Sequence, residues 1–306
     1  MPIQLTIPFR KRDLGGGVSI RRVLPYAGEV LSAKGRRLRP DHPGELIGPF
    51  MFFDHFGPFE VPAGKRLDTP SHPHIGISTL TLYIEGEVLH RDSLGTVAHV
   101  RGGDAGWMIS GGGIVHSERS PPSRIDTARI EHGIQTWVAL PKGLENGPAS
   151  FHHHPAATLP TVTRPGVEIR ILSGTAFGQT APSYGAPMFV CDIHLKAGAE
   201  LDLDIPHEQR GLYVIDGELL DGDDAIALHT MGLLHPGPAT VRCEVDTHVL
   251  AIGGAPLDGD RLLWWNYVNS DAGPIRAARD RWAAGDDPEV PGENDEYLKL
   301  PDEEPP

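Results

Sequence analysis

The chain has 306 residues, is 39% hydrophobic and 22% charged, and carries a formal net charge of −14. Those values allow two domains of ordinary size with a real core. The acidic balance, without any basic stripe, excludes direct nucleic-acid binding, whose affinity comes from Lys and Arg displacing counterions from phosphates.

Taken in chain order, short β-patterned runs recur at Val18–Leu24, Phe50–Phe53, Ser78–Ile84, Ala98–Val100, Ala105–Ile109 and Gln135–Ala139. Turn residues separate them, among them Pro58, Pro62-Ala63-Gly64, Glu85-Gly86, Gly102-Gly103 and Gly111-Gly112-Gly113. No long helical period interrupts this stretch. Many short strands joined by Gly and Pro turns predict an all-β sandwich or barrel. We take 1–145 as the first domain. A punctuated segment at 146–166 reads as a linker. A second β-rich domain follows at 167–285, with runs at Val167–Leu172, Met188–Leu195, Gly211–Ile215, Gly232–Leu234, Ala239–Val245 and His248–Gly253. Late in it, Ser270 or Asp271 can cap a helix with Pro274 in its first turn, and Ile275, Ala278 and Trp282 then share one face. The polar, Pro-containing 286–306 reads as an extended surface tail.

The two halves look like a divergent repeat. Leu82-Tyr83-Ile84-Glu85-Gly86-Glu87 matches Leu212-Tyr213-Val214-Ile215-Asp216-Gly217-Glu218 with one insertion. Anchored on the Gly-Glu pairs, His72 and His74 fall opposite Leu203 and Ile205. Carried on without gaps, His116 and Glu118 fall opposite Thr247 and Val249. The second half is expected to keep the scaffold and lose the polar site.

The N-terminus has no apolar leader core, and no run approaches the roughly 18 apolar residues a membrane span needs, so a cytoplasmic protein without membrane contact is expected. Cys191 and Cys243 form no C-x-x-C pair and read as reduced core or strand residues.

The chemistry is concentrated in His72-Pro73-His74 and His116-Ser117-Glu118. Residues two apart on a strand point to the same face, so each pair can aim two ligands into one barrel interior. Three imidazoles and a carboxylate suit Fe, Mn, Ni, Cu or Zn, and an octahedral ion so held keeps two positions open. A lone H-x-H is commonly surface chance or a core histidine; the second pair, with its carboxylate, argues against that. Phe151-His152-His153-His154-Pro155 reads instead as an exposed linker that takes up adventitious metal. His90-Arg91-Asp92-Ser93-Leu94-Gly95 reads as a turn held by Asp and Ser side chains. Trp107, His132 and Gln135 fit either packing or the pocket wall.

Along most of the chain the sequence resembles the pirin family of the cupin superfamily. The matching segments are His72-Pro73-His74, Glu85-Gly86-Glu87, His90–Gly95, Gly103-Asp104, Trp107-Met108, Gly113–Glu118, Gln135-Thr136-Trp137-Val138, Leu140-Pro141 and Trp265-Asn266-Tyr267-Val268. The resemblance implies two packed jelly-roll barrels (a bicupin) with a short C-terminal helix and tail. It also implies one divalent metal, iron(II), in the N-terminal barrel on His72, His74, His116 and Glu118. Some members open flavonol rings with dioxygen as quercetin 2,3-dioxygenases; others are iron-dependent transcriptional co-regulators that act through protein partners. In the first case Glu118 is expected to double as ligand and general base. A monomer is expected. The chain departs from the common pattern at Ile75 and Ser78, where many relatives have Arg and Glu, and at Gly112, where many have Arg.

Overall fold

The computed structural model describes residues 11–13, 18–21, 26–30, 33–38, 47–221, 224–234, 236–293 and 295–306. Within them antiparallel strands dominate, as the turn-punctuated pattern predicts. The end of the run expected at Val18–Leu24 lies outside the described residues. No helix among the described residues is long and apolar enough to cross a membrane.

Two compact units interleave along the chain. The first, the histidine unit, comprises Phe52–Ala157 and Asp258–Pro306 with the strand Tyr26–Val30 and all but the last residue of the strand Ala33–Leu38. The second comprises Thr158–Leu257 with the strands Lys11–Asp13 and Val18–Arg21. The structure thus groups the chain differently from the consecutive division at 145–166. The physical reason lies in the last fifty residues, whose apolar and ionic partners belong to the histidine unit. Arg261, buried, forms ion pairs with Glu145 and Asp258 and donates to the Leu140 carbonyl at 2.8 Å.

The histidine unit has two sheets. The larger runs in the order Ser150–His154, Ala105–Ile109, Ile77–Glu85, Arg129–Ala139, Phe50–Val61, Ala33–Leu38, Tyr26–Val30. The smaller runs Thr69–His74, Ile114–Arg119, Glu87–Asp92, Val97–Arg101. Ile77–Tyr83 is buried throughout, on both faces, which is why its apolar residues alternate only in part. The helix Ala272–Ala284 starts where Asp271 accepts the Gly273 N–H at 2.6 Å, as expected. It stops at Gly285, whose φ of 73° suits a residue without Cβ. Ile275 and Ala278 on its buried face pack with Trp264, Tyr267 and Ile75.

The stretch 286–306 is docked on this unit, not merely draped over it. Val290 is buried, Leu298 N–H donates to the Ser71 carbonyl at 2.9 Å, and Glu293 pairs with Arg91 at 2.9 Å and Arg119 at 2.8 Å. Its polar sequence hid this, because only a few apolar residues such as Val290 and Leu300 accompany the arginine and backbone partners.

The second unit repeats the plan. Its larger sheet includes Met231–Leu234, Gln209–Asp216, Thr247–Gly254, Met188–Leu195, Val167–Ala176 and Thr161–Arg164 in that order. Its smaller sheet runs Glu200–Asp202, Thr240–Arg242, Leu219–Asp221, Asp224–Ile226. Leu203 and Ile205 are buried in its apolar core with Val241 and Val249, as are Cys191 and Cys243, both free. The ungapped register fails at the second pair. The strand paired as Ile114–Arg119 is paired is Thr240–Arg242, while Thr247–Gly254 corresponds to Arg129–Ala139. The second half is shorter between its Gly-Glu pair and this strand, so a count without gaps overshoots.

Candidate metal centre

His72 and His74 lie two apart on the strand Thr69–His74 and are both buried. The neighbouring strand Ile114–Arg119 places His116 directly across from His72. Directly opposed residues have Cβ atoms about 5 Å apart, close enough for two imidazoles to share one ion. The ring centroids of His72 and His116 are 4.2 Å apart, those of His72 and His74 5.0 Å, and those of His74 and His116 5.1 Å. Each ring offers a nitrogen within 4.8 Å of the other two.

The hydrogen bonds fix which nitrogen each ring presents. His72 Nδ1 is 2.8 Å from the Pro70 carbonyl, and His74 Nδ1 is 3.2 Å from the Asn266 carbonyl. A carbonyl only accepts, so both Nδ1 atoms carry the proton and both Nε2 lone pairs are left bare. His116 differs: both of its ring nitrogens are buried and neither has a hydrogen-bond partner. Leaving a buried polar atom unsatisfied costs about 1–3 kcal/mol. Burial pushes the His72 imidazole down to about 4 and holds His74 and His116 well below the ordinary histidine range, so all three rings are neutral at pH 7. Neutral, convergent and in one case unpartnered, the three fit a divalent metal ion.

Glu118 follows on the same strand, but the pairing with Thr69–His74 shifts register between His116 and Glu118. Its carboxylate lies outside the set of three mutually close nitrogens. It accepts from Gln135 Nε2 at 2.9 Å and from Thr81 Oγ1 at 3.4 Å, and burial raises its proton affinity. The three histidines of the expected set are therefore brought together, while Glu118 is not among these mutually close ligand atoms and its carboxylate is held by Gln135 and Thr81.

Two contributions escaped the sequence reading. Asn266 orients His74 through its backbone carbonyl, which any residue could supply, so side-chain identity gave no signal. His90 is buried, stacks on Phe151 at 4.0 Å, binds Asp92 through Nε2 at 3.1 Å, and has its ring 5.3 Å from that of His116. The turn after it forms as expected: Asp92 Oδ1 accepts from the Leu94 and Thr96 N–H groups at 2.9 and 3.0 Å, and Ser93 Oγ accepts from Val115 N–H at 3.1 Å.

Trp107 is wholly buried, and Gln135, left open between packing and pocket, serves Glu118. Trp137 stacks on Phe52 at 4.5 Å and meets His74 edge-on at 5.3 Å, with its indole N–H buried and unpartnered. Ile75 sits in the apolar cluster under the helix Ala272–Ala284. Gly76 follows with φ 71°, and a Cβ there would strike the Val268 carbonyl. The His152–His154 run is not an exposed linker. It lies in the edge strand Ser150–His154, paired with Ala105–Ile109, and His153 Nε2 is 2.8 Å from Asp104 Oδ2. Polar edge residues masked the strand, since only half-burial is needed at a sheet edge.

The sequence matches the family profile described as Pirin over residues 32–138, and the profile described as Pirin C-terminal cupin domain over residues 190–287. It is 34% identical to a pirin-like protein of Caulobacter vibrioides, covering 98% of this chain and 100% of that one. It is 29% identical to mouse pirin, over 83% of each chain. Among solved structures, a quercetin 2,3-dioxygenase from Acinetobacter baumannii superposes with a TM-score of 0.79 at 31% identity, covering 97% of this chain and 96% of that one.

Proposed function

The chain belongs to the pirin family of the cupin superfamily, and on that premise we propose that it is an iron(II)-dependent flavonol 2,3-dioxygenase whose metal is held by His72, His74, His116 and Glu118. The observation that carries the reading is His116, with two buried, unpartnered nitrogens facing two imidazoles whose Nε2 atoms are also free. The similarity to a solved quercetin 2,3-dioxygenase supplies the substrate class. When bound, the metal supplies Lewis acidity that lowers the pKa of a coordinated hydroxyl and a site at which dioxygen reacts.

The chain's own residues do the rest. The carbonyls of Pro70 and Asn266 lock the His72 and His74 tautomers. Gln135 and Thr81 hold the Glu118 carboxylate, and burial makes it a stronger base, suited to taking the proton from the flavonol 3-hydroxyl. Trp137, stacked on Phe52 and edge-on to His74, holds a buried, unpartnered indole N–H near the histidines, a donor suited to a polyphenol oxygen bound there.

The test is metal analysis of untagged protein, with oxygen uptake on quercetin. About one iron per chain, lost in His72→Ala/His116→Ala together with uptake, is the expected result. Iron-loaded protein that leaves quercetin and related flavonols intact removes the substrate class.

A second reading, a metal-dependent protein-binding module, is favoured by one observation. Arg119 directly follows Glu118 and carries the ion pair to Glu293, so movement of Glu118 on metal binding is transmitted to the docked segment 286–306. Hydrogen exchange across 290–298 that is identical with and without metal removes this reading.

A further inference from the structure

On the second unit, the strand Met188–Leu195 turns Cys191, Ile193 and Leu195 into the apolar core. Strand alternation therefore puts Asp192 and His194 on the opposite face. The next strand, Thr247–Gly254, sets His248 directly across from His194 and sends Val249 into the core. The two imidazoles stack with centroids 4.0 Å apart and planes 20° from parallel. Both turn Nε2 toward one carboxylate: His248 Nε2 is 2.5 Å from Asp192 Oδ1, and His194 Nε2 is 3.6 Å from Oδ2. All three ligand atoms lie within 4.8 Å of one another. Asp192 is buried, His248 half-buried and His194 exposed, so the cluster has a protein floor and an open top.

We propose that Asp192, His194 and His248 form a second divalent-metal site, on the outer face of the second barrel and independent of the interior histidine centre. Two imidazoles and one carboxylate suit a borderline ion such as zinc, with a water completing the coordination on the open side. The strands supply the preorganisation, because a cross-strand histidine pair and a carboxylate two residues along one strand are fixed by register, not by loop conformation. One group competes. Arg170 Nη1 is 3.7 Å from Asp192 Oδ2, and it has an alternative partner in Glu168, 3.9 Å away, to which it yields when the ion arrives. Glu168 itself stands across from His194 and adds negative charge to the site.

Zinc titration of chelator-stripped, untagged, full-length protein by calorimetry tests this. Wild type is expected to bind two ions per chain. His194→Ala/His248→Ala removes one and keeps the other, while His116→Ala does the reverse. Asp192→Asn, which keeps the volume, weakens the same equivalent at least tenfold, and Arg170→Gln, which removes the competing cation, tightens it. The proposal is overturned by a single equivalent in wild type, by full binding in a folded His194→Ala/His248→Ala protein, by an unchanged affinity in Asp192→Asn, or by loss of the second ion on substituting His152 and His154 instead.

Discussion

Replacing His116 with leucine should push stability in opposite directions with and without metal. In the metal-free protein both ring nitrogens of His116 are buried and unpartnered. Such groups cost about 1–3 kcal/mol each, and an apolar side chain of similar size escapes most of that penalty. Metal-free His116→Leu should therefore be more stable than metal-free wild type by about 2 kcal/mol, a rise in melting temperature of roughly 5 °C. With metal the order reverses. An ion present at a hundred times its Kd stabilises the wild-type fold by about 2.7 kcal/mol, and His116→Leu, short of one ligand, gains little of it. Scanning calorimetry of both proteins, stripped and loaded with nickel(II) as an air-stable substitute for iron, measures all four states. Metal-free His116→Leu that melts well below metal-free wild type, with an undiminished metal-induced rise, would refute the reasoning.

Three further outcomes follow from the same geometry. Burial holds the His72 imidazole at about 4, below the ordinary 6.5, so the unfolded chain binds the extra proton between those values and metal-free stability falls as pH drops through that window. The loss attributable to His72 approaches about 3 kcal/mol at most, and urea melts at pH 7 and pH 4.5 should show it shrinking in His72→Gln. Gln135→Leu removes the 2.9 Å donor to Glu118, raising the proton affinity of that carboxyl further. Metal affinity should drop about 10- to 100-fold, more steeply at acid pH, as competition with a chromophoric chelator would register. Arg261→Met strands the buried Glu145 carboxylate and should cost about 3–5 kcal/mol. Limited proteolysis should then cut within 258–306, and unchanged protection there would contradict the role given to this pair.

Much of the architecture is legible in the order of residues. The two-residue spacing of His72 with His74 is enough to place both on one face of a strand, as the strand Thr69–His74 bears out. The cap at Asp271 and the apolar face of Ile275 and Ala278 emerge from local chemistry alone. What stayed hidden depends on partners distant in sequence. Glu118 has the spacing of a ligand, yet the register shift beside it and the donors Gln135 and Thr81 decide where its carboxylate rests. The histidines of 152–154 look like a loop because a sheet edge asks for no apolar alternation. The Asp192 cluster leaves no mark in the sequence, because its third member, His248, meets the other two only through pairing of strands more than fifty residues apart.

The Asn266 carbonyl that orients His74 lies 192 residues further along the chain. A ribosome finishes the strand carrying His72 and His74 long before Asn266, Arg261 or Glu293 leaves the exit tunnel. The stretch Thr158–Leu257, the greater part of the second unit, is synthesised in between. The histidine barrel therefore spends most of translation without the segment that closes its ligand strand, while its partner barrel can fold ahead of it. Vectorial synthesis leaves the His74 imidazole without its Asn266 partner until nearly the whole chain has been made, so the three-histidine cluster reaches its final hydrogen bonding late.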